Sequence, residues 1–199
     1  MKRALIGAGG FAREVKAHML DHTMECFVDD VYWDGSDEYI LPLSRFNPGD
    51  YKVFVAVGDP KARRKMIQSL PENTEYFSFV HPSAQLLGND INIGEGSFVC
   101  AGCILTTNVN IGKHAHLNLY TTIGHDCKIG DFFTTAPGAK VSGNCSIGDC
   151  VYVGTNASVK EKVKIHSHVI VGLNAGVVKD IVTPGIYIGT PAENLIVVK

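Results

Sequence analysis

The chain has 199 residues, 45% of them hydrophobic and 19% charged, with a formal net charge of −2. That length holds one large domain or two small ones, and the near-neutral balance excludes a general nucleic-acid binder, which carries a basic surplus. No apolar run approaches the roughly 18 residues of a membrane span, and the start MKRALIGAGGFAREV is broken by Gly9, Gly10, Arg13 and Glu14, so no export signal or membrane partner is expected and the expected setting is cytoplasmic.

The first third reads as a small α/β domain. KRALIGAG (2–9) is an apolar run ending in glycines, and residues 10–20 follow as a helix with Phe11, Val15, Met19 and Leu20 at helical spacing. ECFVDD (25–30) is a second strand and YKVFVAVGD (51–59) a third. PKARRKMIQSL (60–70) is a helix opened by proline, and TEYFSFVH (74–81) a fourth strand. This order predicts a largely parallel sheet, whose ligands sit beyond the carboxyl ends of the strands. Those ends carry Gly7–Gly10, Asp29-Asp30 and Gly58-Asp59. Glycines at a helix N-terminus suit a phosphate, and carboxylates one strand over suit a ribose or a base. A tight turn with solvated acids is the plainer alternative, because GAGGFA lacks the last glycine of GxGxxG.

From Leu87 onward every sixth residue is aliphatic, through Ile93, Val99, Leu105 and so on to Val177. Fifteen of sixteen obey, Thr135 being the exception. Four residues after each lies a small or β-branched residue (Ser97, Cys103, Val109, Ala115, Thr121, Cys127), and the residue directly after is often glycine. This is the pattern of a parallel β-helix: three short strands close a coil of eighteen residues, coils stack about 4.8 Å apart, and glycine is expected to permit the corner. The expected fold class is α/β plus all-β. A Rossmann-like domain is expected at residues 1–81, a parallel β-helix at 82–183, left-handed by the family resemblance given below, and a C-terminal tail at 184–199.

The register sorts the chemistry-bearing residues. Cys103, Cys127 and Cys145 point inward as core packing, and all six cysteines are expected as free thiols. CAGC at 100–103 is half a zinc site with no second half. In TTIGHDCKIGD (121–131), Ile123, Cys127 and Ile129 belong to the scaffold, while His125 and Asp126 stand at an outward corner. One coil on, His125 stacks on Gly143. A neutral imidazole takes a proton, a carboxylate orients the ring, and a glycine lets its N–H reach an oxyanion. A surface histidine at a turn is the alternative. His114, His116, His166 and His168 fall at surface-type positions, and these four, like His18, His22 and His81, read as structural or solvated.

GAGGFAREV, FVDD, VAVGDPKAR, the HP at 81–82, TTIGHDCKIGD, PGAKVSGNCSIGD, VGTNASV, GVVKDI and GTPAENL occur in an order that resembles the left-handed β-helix acyltransferases of bacterial sugar biosynthesis. That family includes sialic acid O-acetyltransferases and N-acetyltransferases of UDP-4-amino-4,6-dideoxy sugars, and the resemblance covers essentially the whole chain. It implies a homotrimer with acetyl-CoA in clefts between subunits, a nucleotide sugar on the N-terminal domain, and no metal. It implies His125 as general base, Asp126 as its partner, Gly143 as oxyanion donor and Asn118 as a polar residue near the amino sugar, reaching the site from a neighbouring subunit. Gly10, Phe11, Ala12, Asp29, Asp30 and Gly58 match nucleotide-sugar positions, with Phe11 where the loop usually has histidine. Thr134, Gly143, Thr155 and Leu173 match acetyl-CoA contacts, Thr134 standing where some members have histidine and Leu173 where glycine is common. The expected reaction is acetylation of the C4 amine of a nucleotide-linked sugar, UDP first among the nucleotides. Sialic acid O-acetylation is the nearer alternative. A zinc hydratase of the β-helix carbonic anhydrase type, using a mixture such as His116 and His125, is the distant one.

Overall fold

A computed structural model describes residues 1–195. The strands β1 (Lys2–Ile6), β2 (Glu25–Val28), β3 (Ile40–Pro42), β4 (Tyr51–Val55) and β5 (Glu75–Tyr76) form one parallel sheet in the order β3-β2-β1-β4-β5. Helix α1 (Gly10–Met19) follows β1 and helix α2 (Pro60–Ser69) follows β4. The central strands are buried on both faces, which is why ALI and VFV run without polar alternation. Asp59 caps α2, its carboxylate accepting the Ala62 N–H at 2.7 Å, and Pro60 supplies the fixed first turn.

Two expectations need correcting here. The short edge strand β3 was not anticipated; it ends in proline and spans three residues, a pattern tolerated only at an edge. Residues 74–81 are also not one strand. β5 closes the first sheet, whereas Phe79–Val80 pairs with Phe98–Val99 and opens the second architecture.

That second architecture is a left-handed β-helix with three faces. A six-stranded face runs from Gln85–Leu86 to Gly176–Val177, a five-stranded face from Ile91–Ile93 to Lys164–Ile165, and an eight-stranded face from Phe79–Val80 to Glu193–Asn194. Ile111, Ile129, Ile147 and Ile165 stack up one face as the period requires, all buried. Gly185–Ile188, within the expected tail, instead pairs in parallel with Val169–Val171 and extends the eight-stranded face; residues 196–199 of that tail lie outside the described residues. No helix among the described residues is long and apolar enough to cross a membrane.

The register departs from the arithmetic at the first coil. Leu86 pairs with Leu105, whereas Ile93 pairs with Ile111, so one extra residue sits between them. Leu87 is therefore 61% exposed and stands outside the aliphatic series. The glycine role also differs. The left-handed backbone at each corner falls on the fourth residue of the hexad, at Asn108 (φ 49°), His114, Tyr120, Asp126 (φ 60°) and onward to Asn174. The glycine that follows the aliphatic residue is there for space. A Cβ on Gly124 would lie 2.6 Å from the Gly143 backbone nitrogen one coil away.

The N-terminal domain packs on the eight-stranded face. Phe11 and Phe54 sit 4.9 and 4.8 Å, centroid to centroid, from the His116 ring, and Phe79 stacks on Phe98 at 4.9 Å. His114 and His116 are consequently buried rather than solvated: their outward-facing repeat positions are covered by the other domain.

Candidate active site

His125 and Asp126 lie on the edge between the six- and five-stranded faces. Asn144 N–H donates to the His125 carbonyl and Asp126 N–H to the Thr107 carbonyl, so adjacent coils hold this corner by its backbone. The His125 Nδ1 lies 2.7 Å from Asp126 Oδ2, and Asn108 Nδ2 donates to Asp126 Oδ1 at 2.6 Å. These two hydrogen bonds hold the Asp126 carboxyl below the usual carboxylate range, the one from His125 contributing most. With Nδ1–H donating to the carboxylate, Nε2 keeps its lone pair and is free to accept a proton. Both side chains are about half exposed, so a substrate can reach them.

Nε2 is aimed over Gly143. A Cβ on Gly143 would lie 2.6 Å from Nε2 and 2.8 Å from Cε1, so only a residue without a side chain leaves the imidazole this seat. The Gly143 N–H has no acceptor among the described residues, whereas Gly143 O accepts from Lys162 N–H at 2.9 Å. A lone pair and an unused N–H thus converge on one small patch of surface, the geometry an acyl transfer needs.

Cys127, next in the chain, faces the other way. It is buried, its thiol donates to the Ser142 carbonyl at 3.3 Å, and hydrogen bonding with Cys145 and burial together raise its pKa. A thiol held protonated inside the coil is no nucleophile. All six cysteines are free and buried. His116 does not join His125. Its Nδ1 accepts from Arg63 Nη1 at 3.1 Å on another face, and no group of three or more His, Cys, Asp or Glu among the described residues is arranged to hold a metal ion.

A cavity of about 510 Å³ lies where the N-terminal domain meets the eight-stranded face. It is lined by Phe11 and Glu14 of α1, by Gly58 and Asp59 beyond β4, and by His116, Asn118, Thr134, Tyr152 and Thr155 from the coil. Asn118 is positioned from below. Thr121 donates to its carbonyl at 2.7 Å, its N–H donates to Thr135 Oγ1 at 3.0 Å, and its own Oδ1 accepts from Leu119 N–H at 2.7 Å. That leaves the Nδ2 donors for the cavity. Thr135, the one break in the aliphatic series, is therefore part of an internal threonine pair that fixes Asn118. Leu173, 72% exposed, stands on the same edge as Thr155. Within one chain this cavity and the His125 edge face different directions.

Arg63 is the residue that sequence reasoning passed over. It is fully buried and bridges the domains. Nε donates to His114 O, Nη1 to Val57 O at 2.8 Å and Gly58 O, and Nη2 to Phe132 O and Thr134 Oγ1 at 2.7 Å. Burial lowers its pKa to about 9, so it remains a cation at neutral pH. The available signal was positional: Arg63 falls on the stripe of α2 shared with Pro60 and Ile67.

The second cavity, about 490 Å³, sits beyond the carboxyl ends of β1 and β2 and is lined by Gly7, Ala8, Gly9, Asp29, Tyr32, Asp34 and Ser36 among others. Of the six positions expected to face a nucleotide sugar, Asp29 lines this crevice and Phe11 and Gly58 line the larger cavity. Asp30 turns aside to accept the Ser44 N–H at 2.9 Å, Ala12 is on the buried face of α1, and Gly10 opens that helix. Tyr32, Asp34 and Ser36 went unnoticed in a segment with no periodicity.

Comparison with known proteins follows this division. Residues 2–70 match the PglD N-terminal domain. The chain is 32% identical over 155 residues to the GDP-perosamine N-acetyltransferase of Escherichia coli O157:H7, covering 70% of this chain and 69% of the relative. PerB from Caulobacter crescentus, solved with CoA and GDP-perosamine, superposes with a TM-score of 0.85 at 26% identity, covering 98% of this chain and 97% of that one. The acetyltransferase domain of PglB from Neisseria gonorrhoeae FA1090, solved with acetyl coenzyme A, superposes with a TM-score of 0.83 at 29% identity, with 98% of each chain covered.

Proposed function

Because the chain belongs to the PglD- and PerB-like family of β-helix sugar N-acetyltransferases, we propose that it transfers an acetyl group from acetyl-CoA to the C4 amine of a nucleotide-linked 4-amino-4,6-dideoxy sugar. The observation that carries this reading is the His125–Asp126 pair with Nε2 poised over Gly143. The amine attacks the thioester carbonyl carbon as His125 Nε2 removes its proton. Asp126 supports the imidazolium, and the oxyanion of the tetrahedral intermediate faces the Gly143 N–H. Collapse breaks the C–S bond, and the departing thiolate takes the proton from His125. No acyl-enzyme is required, since a thioester is already activated.

Asn118 and the 510 Å³ cavity lie on a different edge from His125. A homotrimer with active sites between subunits resolves this: the His125 edge of one chain faces the Asn118 edge of the next. In that arrangement Thr134, Thr155 and Leu173 contribute to the acetyl-CoA path. The crevice at Asp29 takes the nucleotide, and Phe11 and Gly58 lie between it and the coil. Residues 1–81 and 82–183 then serve as the sugar-nucleotide and acyl-transfer halves. The GDP-perosamine relative favours an amine over a sialic acid hydroxyl as acceptor and puts GDP beside UDP as first candidates.

The test is CoA release measured against a panel of UDP-, GDP- and dTDP-linked 4-amino sugars and free sialic acid. Turnover with at least one nucleotide amino sugar and none with sialic acid is expected. Turnover with sialic acid alone would overturn the reading.

A further inference from the structure

A single side chain makes nearly all of the polar connection between the two halves of the molecule. Among the described residues, no ion pair and no backbone hydrogen bond joins residues 1–77 to the coil. The side-chain hydrogen bonds that cross all come from Arg63, save a long contact of 4.0 Å from Arg64 Nη1 to Cys150 Sγ. Each of the three guanidinium nitrogens donates. Nε reaches His114 O, Nη1 reaches Val57 O and Gly58 O beyond β4 and His116 Nδ1, and Nη2 reaches Phe132 O and Thr134 Oγ1. His114–His116 and Phe132–Thr134 lie on adjacent coils, His116 pairing with Thr134. One rigid plane thus pins the chain beyond β4 to two successive coils. The other contacts across the interface are apolar or aromatic, such as Phe11 and Phe54 against His116. Burial of that surface is non-directional and sets no exact position, whereas a planar fork meeting several acceptors does.

We propose that Arg63 is a positioning residue of the transfer reaction: it holds the crevice-bearing domain in the one register on the coil at which a sugar extending from that crevice meets Asn118. The proposal rests on the acetyl-transfer reading. Three of the Arg63 partners, Gly58, His116 and Thr134, line the 510 Å³ cavity, the first from the N-terminal domain and the other two from the coil. Asn118 lies two residues beyond His116, just past the strand His116–Leu117. The fork therefore fixes where Gly58 stands relative to Asn118, the span that the acceptor must cross. Thr134 Oγ1 accepts from Nη2, so the Thr134 proton is left to donate elsewhere. Burying a cation brings little net stability, because desolvation offsets the attraction. What a guanidinium supplies in this interface, and an apolar side chain does not, is a single arrangement of the two walls.

The experiment separates binding by each half from the reaction between them. Arg63→Lys keeps the positive charge, but one ammonium cannot bridge the chain beyond β4 and two coils at once. Calorimetric Kd values for GDP, UDP and CoA should stay within about twofold of the native chain, because each half keeps its own site. The kcat with saturating nucleotide amino sugar and acetyl-CoA should fall at least about tenfold, since a misplacement of roughly an ångström costs up to about 100-fold. Rates are taken per folded molecule, well below the Tm of the variant. His116→Leu spares the guanidinium and its carbonyl partners, and it serves where Arg63→Lys does not fold. It should show the same pattern with a fall of at least about threefold. Native kcat in folded Arg63→Lys, or in His116→Leu where the first does not fold, means a purely structural residue and overturns the proposal. So does a loss of nucleotide or CoA affinity that matches the loss of rate. A native chain that binds both ligands but acetylates no nucleotide amino sugar sinks the acetyl-transfer reading instead.

Discussion

His116, on a strand of the eight-stranded face, and His125, at a corner further along the same repeat, are opposite kinds of histidine. His116 is 3% exposed, its Nδ1 accepts from the buried Arg63 cation, and burial, then the Arg63 charge, hold its pKa well below the ordinary value. His125 is open to solvent, with a carboxylate at Nδ1 and a bare glycine under Nε2. The first is packed between the two domains and held neutral beside a buried cation. The second has a free lone pair, a partner for the charge it would acquire, and an unused N–H beside it. Repeat position does not separate the two roles, since both side chains point out of the coil. What separates them is what covers each one: a domain over His116, solvent over His125.

The largest way to break that contrast is to remove the cation. Arg63→Met strands Val57 O, Gly58 O, His114 O and Thr134 Oγ1 in a buried interface. A loss of about 3 kcal/mol or more in urea unfolding is expected, from several unpaired buried groups. A loss under about 1 kcal/mol would mean that the interface is wet.

Acid sharpens the same contrast. Burial lowers the His114 pKa to about 4 and holds that of His116 well below its ordinary value. Between about 4 and the unfolded value near 6.5, the unfolded chain binds more protons than the folded one. The stability of the neutral histidines is therefore present above about pH 6.5 and lost as pH falls toward about 4. The expected loss is on the order of 2–3 kcal/mol for His114, read from denaturation at stepped pH. His116→Gln should flatten part of that slope, and an unchanged slope would contradict the buried assignment.

On the exposed side, Gly143→Ala puts a methyl where the His125 ring lies. A fall of about 100-fold in kcat is expected for a base displaced by roughly an ångström, with little change in Tm, since the ring rather than the backbone gives way. Gly124→Ala should do the reverse, because its Cβ meets the Gly143 backbone. The smallest effect belongs to Asn108→Gly, which removes the amide from Asp126 while suiting the left-handed backbone there (φ 49°). The Asp126 carboxyl should titrate nearer its ordinary value by NMR, with kcat altered by less than about threefold.

Much of this was legible from spacing. A period of six assigns Ile123, Cys127 and Ile129 to the interior and leaves His125 above Gly143, because stacking in a coil is arithmetic. The same arithmetic failed at Leu87, where one inserted residue shifts the first coil, and it misread the glycines, whose task is to admit the next coil's backbone. It could not see the covering of His114 and His116. Contacts between α2 and the eight-stranded face follow no period, and a charged residue on an apolar stripe, Arg63, was the one sign of them. Nor could it divide Asp29 from Asp30, since the difference is a single hydrogen bond to Ser44.

The central claim is that an exposed histidine over a glycine, and no thiol, drives the transfer. Steady-state CoA release from acetyl-CoA, with saturating amino sugar nucleotide, should fall about 100-fold or more in His125→Ala and stay near the native rate in Cys127→Ala. An active His125→Ala enzyme, or a dead but folded Cys127→Ala enzyme, would contradict it.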